Sequence, residues 1–284
     1  MSGLWEFQVR TRRALRRLSG AGPPPHEAAG PLFFHHVAKT GGTSLIRAIR
    51  ALLPTDRVMS EHGDLSLSFT TALARRGLRP GQFVYGHPGT GAVRPLVRRV
   101  AIATVLRDPG AQAVSNYLWI RQDPNLPDHA VARACDLRGF LQARPYFAIF
   151  QTASLHLAIQ RTPVARTEEI LDRLPMILDY LGQMEVVGTT GRAVEVYRRI
   201  CDYLGVGEPP PLPHHRKAKA SDEDRRQLAD QYQDLTDDPT LGPLLAGEQE
   251  VYRAALALDA AAALAISNES RPPPIRPDLA EGVR

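Results

Sequence analysis

The chain has 284 residues, 43% hydrophobic and 23% charged, the balance of a globular protein with room for one large α/β domain or two small ones. A formal charge of +5 is compatible with a solvated arginine-rich face or a pull toward anionic ligands. The two cysteines, Cys135 and Cys201, sit in apolar segments and read as buried thiols rather than a disulfide, and no Cys/His pairs carry the spacing of a zinc site.

Residues 3–19 have the pattern of a basic amphipathic helix, with Trp5, Phe7, Leu15 and Leu18 among arginines, expected to dock on the body rather than on a membrane. The segment lacks the apolar core of a secretory leader, and no run approaches the roughly 18 apolar residues that a membrane span requires. The expected compartment is the cytoplasm. A stiff proline-rich linker, AGPPPHEAAGP, completes an N-terminal region over 1–30.

PLFFHHV then reads as a strand and Thr43 to Leu53 as a helix, with apolar residues at helical spacing. RVMS and QFVYG are short strand candidates, and VAIATVL (100–106) is the strongest buried strand. A helix is expected from Pro109 to Arg121, a loop over 123–129, and helices over 136–160 and 166–182. MEVVGTT (184–190) is a late strand, and the helix after it ends at Gly205. An irregular basic loop over 207–220, helices near 221–235 and 241–263, and a disordered tail over 264–284 close the chain. Strands alternating with helices predict one α/β domain over 31–263, with a mostly parallel sheet covered on both faces.

Three stretches carry chemistry. In HHVAKTGGTS, Gly41 and Gly42 let the backbone approach a ligand, and the N–H groups that open the following helix favour an anion. Lys39 adds a charge, and Thr40, Thr43 and Ser44 add hydroxyls. The lysine precedes the glycines, unlike the nucleoside-triphosphate loop, in which it follows them. In TVLRDPGAQAVSNYLWI, Arg107 closes a strand, Asp108 is placed to cap a helix, and Ser115 lies two turns along it, so that Arg107 at the same sheet edge offers a second anion site. In FVYGHPGTG, His87 leaves a strand end, where a neutral imidazole can take a proton near pH 7.

Taken together, these stretches resemble the sulfotransferases that use 3′-phosphoadenosine 5′-phosphosulfate (PAPS). HHVAKTGGTS is similar to their 5′-phosphosulfate loop, LRDPGAQAVSNYLWI to their 3′-phosphate motif, and YGHPGTG to the base-bearing segment of the branch containing heparan sulfate 2-O-sulfotransferase and related bacterial enzymes. The likeness runs over roughly residues 31–255 and departs from the family pattern at Ala38, where proline is usual, and at Ala111-Gln112.

The resemblance implies a three-layer P-loop NTPase-like fold and sulfuryl transfer from PAPS to a hydroxyl of a sugar-containing or other small acceptor. It implies His87 as general base and Lys39 on the leaving phosphate. The nucleotide would be held by Lys39, Thr40, Gly41, Gly42, Thr43, Ser44, Arg107 and Ser115. The product would be 3′,5′-ADP (PAP), with no metal required, and Arg216-Lys217 would either close over the nucleotide or be a solvated charge run; no nucleic-acid partner and no transmembrane segment are expected. Two rivals make different demands. A small-molecule kinase needs its lysine after the glycines and a carboxylate for Mg²⁺, whereas a silent PAPS-binding protein is expected to lack Lys39 or His87.

Overall fold

The computed structural model describes residues 30–60, 78–87, 93, 100–160, 166–213 and 221–269. The basic N-terminal helix, most of the linker, Arg216-Lys217 and the last residues of the tail lie outside the described residues. The five expected strands form one sheet: β1 (Leu32–His35), β2 (Val58–Ser60), β3 (Phe83–Gly86), β4 (Ala101–Leu106) and β5 (Val186–Thr189). Their order is β2-β3-β1-β4-β5, every pairing is parallel, and the register sets His35 beside both Gly86 and Thr104. Strands buried on both faces read as short continuous apolar runs, as LFFH and AIATVL do.

Helices cover both faces. On one side α1 (Gly42–Leu52) and α7 (Ala193–Tyr203) pack Leu45, Ile46 and Ile49 with Val196, Tyr197 and Ile200 over Leu32, Phe34 and Phe83 of the sheet. On the other lie α2 (Pro109–Gln122), α3 (His129–Ala134), α4 (Leu137–Ala143), α5 (Phe150–Ile159), α6 (Leu174–Gln183), α8 (Asp222–Gln233) and α9 (Leu241–Glu269), which share the core that receives Phe33, Val84 and Ile102. Alternate β1 side chains thus enter different cores, as strand periodicity requires. The result is an α/β fold with a parallel central sheet between two helical layers, as the alternation predicts.

Several boundaries differ from the expectations. The segment 136–160 is not one helix: Pro145 removes an amide donor, and a 3-10 stretch over Pro145–Ile149 separates α4 from α5. Within 166–182, residues Thr167–Arg173 form 3-10 turns, and Pro175 sits at the start of α6. The expected loop over 123–129 gives way to α3 at His129. The last helix runs to Glu269, past the expected end at 263 and into the segment read as tail. Among the described residues, no helix is long and apolar enough to cross a membrane.

Candidate functional site

The carboxyl ends of four strands bring the three motifs to one edge. β1 leads into His36 and the AKTGGT turn, β3 into His87, β4 into Arg107 and β5 into Thr190. After β1 the chain moves toward β2 and β3, whereas after β4 it moves toward β5, so the β1–β4 crevice is the switch point at which open α/β sheets bind ligands.

The turn is built from unusual backbone. Lys39 has φ +67° and Gly41 φ +88°, both left-handed, a conformation that costs a non-glycine residue about 1–2 kcal/mol. A Cβ on Gly42 would lie 2.4 Å from His36 Cδ2 and 3.1 Å from Phe34 Cε1, so only glycine fits against the histidine ring. No side chain caps α1, although the Ser44 N–H is turned back onto the Gly41 carbonyl at 3.2 Å. The Thr40 hydroxyl is buried and donates to the Val37 carbonyl at 2.8 Å, while Thr43 is exposed and Ser44 half-buried. Neighbouring strand ends hold this turn in place: the Thr190 hydroxyl lies 2.7 Å from the Thr40 carbonyl and 3.2 Å from that of Leu106.

Arg107 stands on the other side of the crevice, half-buried, and its Nη1 donates to the Lys39 carbonyl at 3.2 Å. Its main chain is clamped by Gln151, which accepts its N–H at 2.8 Å and donates to its carbonyl at 2.9 Å. Glu248 holds Gln151 in turn, accepting its N–H at 3.0 Å and the N–H of Thr152 at 2.9 Å. Burial pushes the Arg107 guanidinium down from its ordinary value, Arg225 on α8 pushes the same way, and Asp108 opposes both. A desolvated guanidinium beside a second one is an arrangement that an anion relieves.

Asp108 caps α2 as expected, accepting the Ala111 N–H at 2.9 Å. Ser115 is nearly buried on the helix face that also carries Gln112, whose amide reaches the Ala38 carbonyl at 3.5 Å. Trp119 is one turn beyond Ser115, and the Lys39 ammonium lies 4.9 Å from its ring centroid. On that face Asn116 is buried, and neither atom of its amide has a partner among the described residues.

His87 is exposed at the end of β3, and its ring stacks on that of His36 with centroids 4.4 Å apart and planes at 27°. His36 is pushed down to about 3, by burial first and by His87 second, so its imidazole is neutral at physiological pH. His35, buried beneath the site, is likewise lowered to about 3 by burial and the neighbouring histidines, and its ring nitrogens lie 3.3 Å from the Tyr180 and Ser154 hydroxyls.

Lys39, the two glycines, Arg107 and His87 therefore all leave the same sheet edge, with Ser115 on the helix that follows Arg107. Sequence reasoning missed His36, Trp119, Gln151, Thr190, Arg225 and Glu248. The doubled histidine before the loop and the glutamine of FQTASL (150–155) were the available signals. Comparison with known proteins finds no matching family model and no matching curated protein.

Proposed function

We propose that this protein is a sulfotransferase that moves the sulfuryl group of PAPS onto a hydroxyl of a sugar-containing or other small acceptor. The observation that carries the reading is the pairing of a lysine-first glycine turn with Arg107 across the β1–β4 switch point, joined by the 3.2 Å bond from Arg107 to the Lys39 carbonyl. A lysine turn after β1 and a guanidinium after β4, meeting at one crevice, suit a ligand with two phosphate groups. A triphosphate held at a single loop would not use both.

PAPS fits these residues and supplies an activated sulfuryl group on a phosphate leaving group. His87 accepts the proton of the acceptor hydroxyl as its oxygen bonds to sulfur, assistance typically worth about 10²–10⁴-fold. Lys39 and the N–H groups at the start of α1 balance the charge left on the phosphate oxygen when its bond to sulfur breaks. Arg107 and Ser115 grip the 3′-phosphate and select against nucleotides that lack it.

The test compares 3′,5′-ADP, 5′-ADP and Mg-ATP by thermal shift, followed by transfer from labelled PAPS to an acceptor panel. A ligand at about 100 times its Kd stabilises the native state by about 2.7 kcal/mol. Selective stabilisation by 3′,5′-ADP, lost in Lys39→Ala and Arg107→Ala, together with His87-dependent transfer, is expected. Preference for Mg-ATP would overturn the reading in favour of a kinase. Binding of 3′,5′-ADP with no transfer to any acceptor would favour a silent binding protein.

A further inference from the structure

His36 stands in the first motif, HHVAKTGGTS, without a role in its reading, yet its ring lies between that motif's turn and His87. It follows β1 directly, and β1 periodicity sends it to the same side of the sheet as Phe34, with which it stacks at 6.1 Å and 27°. Toward the turn, the ring rests on the backbone of Gly42, where an added Cβ would fall 2.4 Å from its Cδ2 and 2.9 Å from its Nε2. Toward β3, it stacks on His87 at 4.4 Å. One ring therefore touches both the first residue of α1 and the side chain that leaves β3.

We propose that His36 is a positioning residue, a rigid spacer whose ring fixes His87 relative to the phosphate-binding turn. The inference rests on the sulfuryl-transfer reading for its catalytic consequence, but not for its geometry. In-line transfer needs the base at a set distance from the leaving group, and a displacement of about 1 Å can cost about 10²-fold in rate. β1 and β3 hold their main chains in register, with His35 beside Gly86, but the exposed His87 side chain needs a surface to lie on. The flat face of His36 is that surface, and Gly42 leaves the space in which it sits. A neutral ring serves better than a cation, because it does not oppose the charge that His87 gains on taking a proton.

The experiment compares His36→Ala, His36→Gln and His36→Phe in the full chain. Three quantities are read: affinity for 3′,5′-ADP, kcat for transfer from PAPS, and the ring resonances of His87, identified by their loss in His87→Ala. Removing the ring in the Ala and Gln variants is expected to shift the His87 resonances and lower kcat about 10- to 100-fold, with 3′,5′-ADP affinity changed less than about twofold. Phe, which keeps the ring, restores both the resonances and kcat. In a His87→Ala background, His36→Ala adds no further loss.

Unmoved His87 resonances, a loss of kcat that persists without His87, or a Phe variant as impaired as Ala would overturn the proposal. If the wild-type chain transfers no sulfuryl group, the functional reading fails, while the resonances still decide whether His36 holds His87.

Discussion

Gly42→Ala is the sharpest probe of how the turn is built. Gly42 is the first residue of α1, and an alanine there would gain about 1 kcal/mol of intrinsic helix preference. Against that gain, its Cβ would lie 2.4 Å from His36 Cδ2, whereas ordinary contacts begin near 3.4 Å, so the ring or the turn must retreat by about 1 Å. Overpacking of this kind costs about 1–3 kcal/mol, which exceeds the helix gain over most of its range. The net expectation is a loss of up to about 2 kcal/mol, centred near 1, which corresponds to a fall of about 2–4 °C in Tm at the centre of that range. Calorimetry and urea unfolding measure it, with Gly191→Ala as control, because nothing lies within 4 Å of a Cβ at that position. In a His36→Ala background the two closest contacts vanish and only Phe34 Cε1 at 3.1 Å remains, so the penalty shrinks by about 1 kcal/mol, a coupling expected only of residues in contact. A Gly42→Ala protein more stable than wild type, or a penalty unchanged without the His36 ring, would refute the reasoning.

Two further outcomes follow from buried groups. His35 is held near 3 in the folded protein against an ordinary value of 6.5, so the unfolded chain binds a proton that the native state refuses. Stability is therefore intact above pH 6.5 and falls as the pH drops from there toward 3, by up to about 1.4 kcal/mol per unit from this group alone. Denaturant midpoints between pH 6.5 and 5, above the range of ordinary carboxylates, should show that slope together with the one from His36, also held near 3, and His35→Gln should remove only its own share of up to about 1.4 kcal/mol per unit. An unchanged slope would exclude His35 as its source. Glu248→Ala leaves the Gln151 and Thr152 N–H groups without their acceptor and should cost about 3 kcal/mol in urea unfolding, with weaker 3′,5′-ADP binding as the clamp on Arg107 loosens. A cost below about 1 kcal/mol would show that the clamp holds without it.

The sheet was legible because parallel strands buried on both faces leave short, uninterrupted apolar runs, and LFFH and AIATVL are such runs. The Asp108-Pro109 helix start was legible because capping is local chemistry. The breaks at Pro145 and Pro175 lay within sight, but apolar periodicity on either side of them masked their effect. The stack of His36 on His87 was not legible, since it depends on β1 and β3 being neighbours although β2 intervenes in the chain. Nor was the left-handed backbone of Lys39, since lysine has no preference for it and the residue's partners, Arg107 at its carbonyl and Trp119 under its ammonium, come from another strand end and the helix after it. Arg225 and Glu248 enter from helices beyond the last strand, and their roles exist only once those helices are packed.

The bond from the Arg107 guanidinium to the Lys39 carbonyl makes the two ends of the crevice thermodynamically reciprocal. A ligand group that draws Arg107 away also alters the restraint on the lysine turn, and a group seated in the turn alters the freedom of Arg107. A hydrogen bond to a charged group is worth about 1.5–3 kcal/mol, which bounds this cross-talk at about ten- to a hundredfold in affinity. Fragments that represent the two halves of one nucleotide should therefore bind with affinities that do not multiply to that of the whole. Under the proposed function, the crevice would weigh its ligand as one object rather than as two phosphates.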